Sequence, residues 1–140
     1  MNKKRVDQWV GTARNALTHC GIAENGKIDK NFRSQISAFG AAVIMGSFKA
    51  AVAFYSKQGN ADTDRSALLK AIYYVINGEE AYNSQIKNNE KSAELIFDSV
   101  CAADDLDALQ AAYLDASIAL KLAMNFFDMG QDDTTKPADN

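Results

Sequence analysis

Proline is almost absent from this chain, and this scarcity constrains the fold more than any other feature. The single proline, Pro137, lies close to the end of the sequence. No earlier position is closed to a helix by proline, which removes a backbone donor and clashes with the preceding turn. Glycine is therefore expected to mark the helix ends, and Gly21, Gly59, Gly78 and Gly130 each follow a periodic apolar segment.

Apolar residues recur at steps of three and four along most of the chain, which places them on one face of a helix. This pattern predicts helices over about residues 2–20, 29–45, 47–58, 63–77, 91–102 and 104–129. Residues 79–90 fit either a short helix or a loop, and no segment alternates as a strand does. We predict an all-α fold, a compact single-domain bundle of about five to six helices over residues 1–130, with a disordered polar tail over residues 131–140.

The most apolar segment covers residues 39–54, but it contains a lysine and is too short to span a membrane. A break at Gly46-Ser47 divides it into two consecutive core helices, with Ser47 as the N-cap of the second. The first of these becomes apolar on all sides near its end, which predicts that neighbouring helices cover it. Gly40 has no side chain, so we expect another helix to approach closely there.

Residues with catalytic chemistry are scarce. His19 is the only histidine, so every Ser-His-Asp set would have to use it. It cannot share an ion with Cys20, because adjacent helical residues point about 100° apart. The sequence has no Gly-rich phosphate loop. The acids Asp104, Asp105 and Asp107 are expected to cap the last helix, and Glu79-Glu80 to follow a helix end on the solvated surface. We predict no catalytic residue, no metal site, no cofactor and no enzymatic activity.

The cysteines and the first residues bear on the compartment. Cys20 and Cys101 lack the spacing of a disulfide framework, and Cys101 lies on a mostly apolar helix that predicts a core position. The opening sequence MNKKRVDQWV leads into polar residues rather than into the apolar core of a signal peptide. We therefore expect a cytoplasmic protein that does not contact membranes.

Charge is distributed unevenly along the sequence. Residues 1–77 carry a balance of +6 and residues 78–140 a balance of −9, which together give the net charge of −3. One interpretation is a molecule with one basic and one acidic surface, of which the basic surface would suit phosphate or an acidic partner. The other is that helices from both halves intermix on one surface, so that the asymmetry exists only in the sequence.

The segment NFRSQISAFGAAVIMGSFKAAVAFYSKQGNADTDRSALLKAI combines several packing motifs in a fixed order. They are Phe32, Ile36, Phe39-Gly40, the turn at Gly46-Ser47, Ala53-Phe54-Tyr55, and Arg65 with Leu68-Leu69. Together they resemble the Cmr small-subunit family, the fifth-numbered subunit of type III-B CRISPR effector complexes. The resemblance covers most of residues 1–77 and 104–127. The chain departs from the family at Lys49-Ala50, where many members carry a proline, and in LKLAMNFF, where many carry a basic run.

The resemblance implies a non-catalytic structural small subunit in antiviral defence. Several copies would stack into a minor filament beside the groove in which guide RNA pairs with target RNA. Its partners would be other Cmr subunits, copies of itself, and guide RNA and target RNA through their backbones, with no small-molecule substrate. The alternative function is a helical protein–protein adaptor with no role in nucleic-acid binding.

The RNA hypothesis places backbone contacts on the first helices. The candidates are Lys3, Lys4, Arg5, Arg14, Lys27, Lys30 and Arg33. Such contacts would be electrostatic and independent of sequence, because a subunit that serves any guide must not read bases. One structural observation separates this hypothesis from the adaptor, namely whether the basic residues gather on one surface.

Overall fold

The structure, a computed structural model, describes residues 1–57 and 65–130. The helices in this part are α1 (Lys3–His19), α2 (Lys30–Met45), α3 (Phe48–Tyr55), α4 (Ser66–Asn77), α5 (Glu79–Gln85), α6 (Ser92–Cys101) and α7 (Leu106–Ala123). The strands are β1 (Ala23–Glu24), β2 (Lys27–Asp29) and β3 (Asp128–Gly130), and a 3₁₀ turn (Met124–Phe126) precedes β3. The predicted all-α class is confirmed, because the described residues form a compact and mostly helical fold.

The segment 79–90, which fitted a helix or a loop, begins as α5, so the described residues form seven helices rather than five or six. The predicted helix boundaries at Gln58 and Thr63, the predicted helix end at Gly59 and the polar tail 131–140 all lie outside the described residues.

Side chains cap several helices at the positions that the sequence predicts. The Ala50 backbone N–H donates to Ser47 Oγ at 3.2 Å, which fixes the start of α3 directly after the Gly46 break. The Ala108 N–H donates to Asp105 Oδ1 at 3.0 Å at the start of α7. Both predictions are confirmed, since each cap satisfies a donor that the first helical turn leaves free.

Helix α4 provides much of the core. Its residues Leu68, Leu69, Ile72 and Tyr74 are almost completely buried. It packs against α1, α3, α5, α6 and α7. A short helix that contacts neighbours on most sides has to be apolar around most of its circumference, which this sequence is.

Helix α7 is flanked by α1 and α2. Arg5 at the start of α1 binds Asp115, whereas Arg14 further along α1 contacts Phe126 beyond the end of α7. Helices α1 and α7 therefore run in the same direction.

Helix α2 runs against α7. Ser37 early in α2 lies beside Lys121 near the end of α7. Phe48, just after α2, packs edge-on against Tyr113, with ring centroids 4.9 Å apart. The beginning of α2 and the end of α7 consequently share one end of the molecule, and we call this the sheet end because all three strands lie there.

The small sheet contradicts the expectation that the chain has no strand. β1 and β2 form an antiparallel hairpin whose turn is Asn25-Gly26, both in the left-handed region at φ 55° and 76°. A turn with two positive φ values suits the twist of a two-residue hairpin, and Asn-Gly is its preferred sequence. β3 pairs with β2 in parallel, and the Asp128 N–H donates to Gly26 O at 2.9 Å.

The prediction that the last helix extends to about residue 129 is wrong. Helix α7 ends at Ala123, continues as the 3₁₀ turn, and gives way to β3 at Asp128. The pairing of β3 with β2 holds the chain in an extended conformation. This pairing joins segments that are distant in sequence, so helical periodicity does not reveal it.

Three expectations about burial are also wrong. Gly40 has no atom within 4 Å of where a Cβ would stand, so no helix crosses closely there. The end of α2 is not covered, because Ile44 is 71% and Met45 86% exposed. Cys101, expected in the core, is exposed at the last turn of α6.

No helix among the described residues is long and apolar enough to cross a membrane.

Candidate functional site

Four of the seven predicted RNA-backbone residues lie at the sheet end. Lys27 is in β2, while Lys30 and Arg33 are in the first turn of α2 directly after it. Arg14 reaches the same end, because its guanidinium carbon lies 4.8 Å from the centroid of the Phe126 ring, just before β3. Lys27 and Lys30 are exposed to solvent and Arg33 is half-buried.

The other three candidates lie at the first turn of α1. Lys3 and Lys4 are exposed. Arg5 is engaged by Asp115, whose Oδ2 accepts from Arg5 Nη2 at 2.7 Å and from Arg5 Nε at 3.0 Å. The structure therefore separates the candidates into the sheet-end group and a second group along α1.

Acidic residues moderate the charge of the sheet end. Glu24, Asp29 and Asp128 belong to its strands or immediate turns, and Asp29 also caps α2 by accepting from the Asn31 N–H at 2.9 Å. With four basic and three acidic side chains, the sheet end is only weakly positive. Binding to a polyanion here would therefore depend on which side chains face it rather than on a strong net charge.

The opposite end of α7 is strongly acidic. Asp104, Asp105 and Asp107 surround its start, and Asp98 lies in the last turn of α6. Helix α7 has 18 residues, so about 27 Å separates this acidic end from the sheet end. The sheet-end candidates and these acids therefore lie toward opposite ends of α7, whereas Lys3 and Lys4 of the basic half lie away from the sheet end.

A groove of about 700 Å³ opens between α2, α7 and the start of α1. Helix α7 forms its floor through Ala111, Leu114 and Ile118, and α2 forms one wall through Gly40 and Ile44. The beginning of the chain, Met1 to Arg5, contributes the other side. Sequence reasoning missed this groove, because it depends on three segments that meet only in the fold.

Polar contacts lie at two places within the groove, around Asp115 and between Lys121 and Ser37. Asp115 is buried, with 3% of its side chain exposed, and the Asn2 N–H adds a long contact of 3.4 Å to the bonds from Arg5. At the sheet-end limit of the groove, Lys121 Nζ donates to Ser37 Oγ at 3.0 Å. No acidic group in the described part of the chain pairs with Lys121, so its positive charge is not compensated there.

The lone histidine belongs to a contact between helices. Its Nε2 lies 3.4 Å from Glu79 Oε2, and the Tyr74 hydroxyl donates to Glu79 Oε1 at 3.1 Å. Glu79 was expected to follow a helix end, and it does so in the first turn of α5. These contacts connect the end of α1 to the α4–α5 junction.

The neighbouring thiol is poorly suited to nucleophilic chemistry. Burial raises the pKa of Cys20 to about 11, against a smaller lowering by a hydrogen bond with Tyr82 and by the charge of Lys70. A protonated thiol is a weak nucleophile and a weak metal ligand. Within the described ranges, no group of three or more His, Cys, Asp or Glu residues is placed to hold a metal ion.

Comparison with known proteins gives no relative: the chain matches no family model, no curated protein and no solved structure.

Proposed function

We propose that this chain is a non-catalytic structural small subunit of a type III-B CRISPR (Cmr) RNA-targeting complex, acting in the cytoplasm of a prokaryotic cell. The proposal rests on the resemblance of residues 31–72 to that family. In this function the chain provides protein contacts and a surface beside the paired guide RNA and target RNA. Cleavage of the target belongs to other subunits.

The grouping of basic residues at the sheet end is the observation that supports an RNA-facing role over a purely protein-binding one. Arg14 comes from α1, while Lys27, Lys30 and Arg33 lie on the continuous segment of β2 and α2, and β3 and the 3₁₀ turn hold these two segments together. The acidic residues around the start of α7 lie far from them. This separation of charge would turn the basic side of the subunit toward RNA, although its net charge of −3 repels RNA overall.

Charge reversal at the sheet end tests this proposal. The variant Lys27→Glu, Lys30→Glu, Arg33→Glu is assembled into the complex, and target-RNA binding is measured over a salt series. Each lost phosphate contact is expected to make the salt slope shallower by about 0.7. Affinity should fall and the slope should decrease by up to about 2 for the three contacts.

A matched control separates a local contact from a general charge effect. Lys49→Glu, Lys87→Glu, Lys91→Glu changes the net charge by the same amount at three exposed positions outside the strands, α1 and α2. This control should retain most of the affinity. Unchanged affinity and slope in the sheet-end variant, with assembly intact, would exclude this face from the RNA path.

The second candidate function is the helical protein–protein adaptor. The apolar groove and the exposed side chains of Ile44 and Met45 favour it, because isolated proteins seldom leave large apolar side chains uncovered beside a groove. An adaptor would keep its protein partner in the charge-reversal variant and would show no RNA dependence at all.

A further inference from the structure

We propose that the groove on α7 is the docking site for an amphipathic helix of a different subunit, and that this helix places a carboxylate beside Lys121. The inference deepens the proposed function, because it identifies which surface of the subunit meets a protein partner and what chemistry that partner presents. It rests on the groove and not on the basic residues of the sheet end.

The shape of the groove matches a helix. Ser37, Gly40, Ala41 and Ile44 recur at steps of three and four, so they form one face of α2 along the groove. From Ser37 to Ile44 this face is about 10 Å long, or two helical turns. Small residues in its middle widen the space above α7. A partner helix can place side chains separated by one and two turns into that space.

The lining chemistry is that of an interface rather than of a free surface. The floor and the α2 wall are largely apolar, and Ile44 is 71% exposed at one limit of the groove. Helix-in-groove recognition uses apolar anchors at i, i+3 or i+4, and i+7 against such a surface. The volume of about 700 Å³ accommodates several such side chains.

The positive charge of Lys121 indicates which polar group the partner helix presents to the groove. Arg5 and Asp115 compensate each other, whereas Lys121 bonds to the Ser37 hydroxyl and has no acidic partner among the described residues. A partner carboxylate beside Lys121 would form a charge-assisted hydrogen bond in a partly desolvated position. If the C-terminal turn of the partner helix lies there, its carbonyl groups favour the same cation.

A second copy of this chain does not provide such a helix from the described residues. The required helix exposes three large apolar side chains at these steps together with an acidic residue. The exposed large apolar residues of the described helices are Ile44 and Met45 on α2, Phe54 on α3 and Leu122 on α7. None of these described helices combines them in that pattern, which favours an occupant from a different polypeptide.

Gly40 allows a test that spares the fold. A Cβ at this position meets no atom within 4 Å, so Gly40→Leu fills the groove while replacing a helical glycine with a strong helix former. The matched control is Gly11→Leu, a substitution on α1 outside the groove, where a Cβ also meets no atom within 4 Å. Both variants should melt at or above the temperature of the wild-type protein.

The measurement compares assembly. Each variant is expressed in the native host, and its incorporation into the purified complex is determined by quantitative mass spectrometry. Gly40→Leu should reduce incorporation at least tenfold, while Gly11→Leu should retain it. Lys121→Glu should also reduce it, and reversal of the contacting acid on the partner to lysine should restore it.

The occupant is identified with a benzophenone amino acid at position 44, which crosslinks the partner within the assembled complex. A crosslinked peptide from another subunit, with apolar residues at helical spacing and an acidic residue, supports the proposal. Crosslinks only to a second copy of this chain, or wild-type incorporation of Gly40→Leu, would overturn it. If the purified complex contains no RNA, the proposed function fails while the groove can still be tested on the protein that copurifies.

Discussion

Asp115 and Arg5 show how the structure changes the interpretation of a single residue. The sequence places Arg5 among the candidates for RNA contact, but the fold uses its guanidinium to pair a nearly buried carboxylate. A buried acid is tolerated when it is paired and hydrogen-bonded, and it becomes costly once its partner is removed. Charge periodicity along α1 could not reveal this pairing, because Asp115 lies 110 residues away in the chain.

The variant Arg5→Met should therefore destabilise the protein by about 3 kcal/mol, because it leaves the Asp115 carboxylate buried without its cation. Urea denaturation of the variant and the wild-type protein measures this difference. The double variant Arg5→Met, Asp115→Leu should recover most of the loss, since it removes both charges. An Arg5→Met protein of wild-type stability would show that the ion pair contributes nothing.

The elements show which parts of the fold the sequence predicts well. Long helices with repeated apolar steps and capping residues, such as α1, α2 and α7, begin within two residues of their predicted starts. The sheet was missed because its strands contain only two or three residues, too few for a pattern of alternation. The Asn25-Gly26 turn was the available signal, since this dipeptide favours a two-residue hairpin.

Gly26 tests the importance of this hairpin. Its φ of 76° is unfavourable for a residue with a Cβ, so Gly26→Ala should cost about 1–2 kcal/mol. The cost should be measured by urea denaturation, together with faster hydrogen exchange at the Asp128 amide, which bonds to Gly26 O. Gly11→Ala is the control, because a helical glycine with open space around it should gain stability instead. Equal stability of Gly26→Ala and the wild-type protein would contradict the structure of this turn.

The junction of α1, α4 and α5 should make the protein sensitive to alkaline pH. Burial raises the pKa of Cys20 from 9.0 to about 11 and that of Tyr74 from 10.0 to about 12. Burial also raises the pKa of Tyr82. Folding therefore favours the protonated forms. Their contribution to stability is complete below the unfolded pKa values and is lost as the pH rises through the folded ones.

The melting temperature should accordingly fall between about pH 9 and pH 12. Cys20→Ala should make this fall shallower, because it removes one of the buried groups that must ionise. The exposed thiol offers a matched control, and Cys101→Ala should leave the slope unchanged. Equal slopes for Cys20→Ala and the wild-type protein would show that the buried thiol has no part in alkaline unfolding.

At the scale of the whole molecule, the sequence predicts the charge asymmetry but not its geometry. The halves separate only in part: Lys27 and Lys30 lie at the sheet end, far from Asp104 and Asp105 at the start of α7, whereas Lys3 and Lys4 of the basic half lie at the start of α1. The groove was not predictable, because Gly40 has the same sequence context whether it meets a helix or open space. Only the relative position of α1, α2 and α7 shows that Gly40 faces open space and not another helix.

The most direct test of the central claim is purification of the chain from its native host under gentle conditions, followed by analysis of the proteins and RNA that accompany it. We expect a stoichiometric assembly that contains several other subunits and a guide RNA with a constant segment and variable sequences. This RNA should remain bound to the assembly when the chain is used as the affinity handle. Recovery of the chain alone, or with protein partners and no RNA, would contradict the claim.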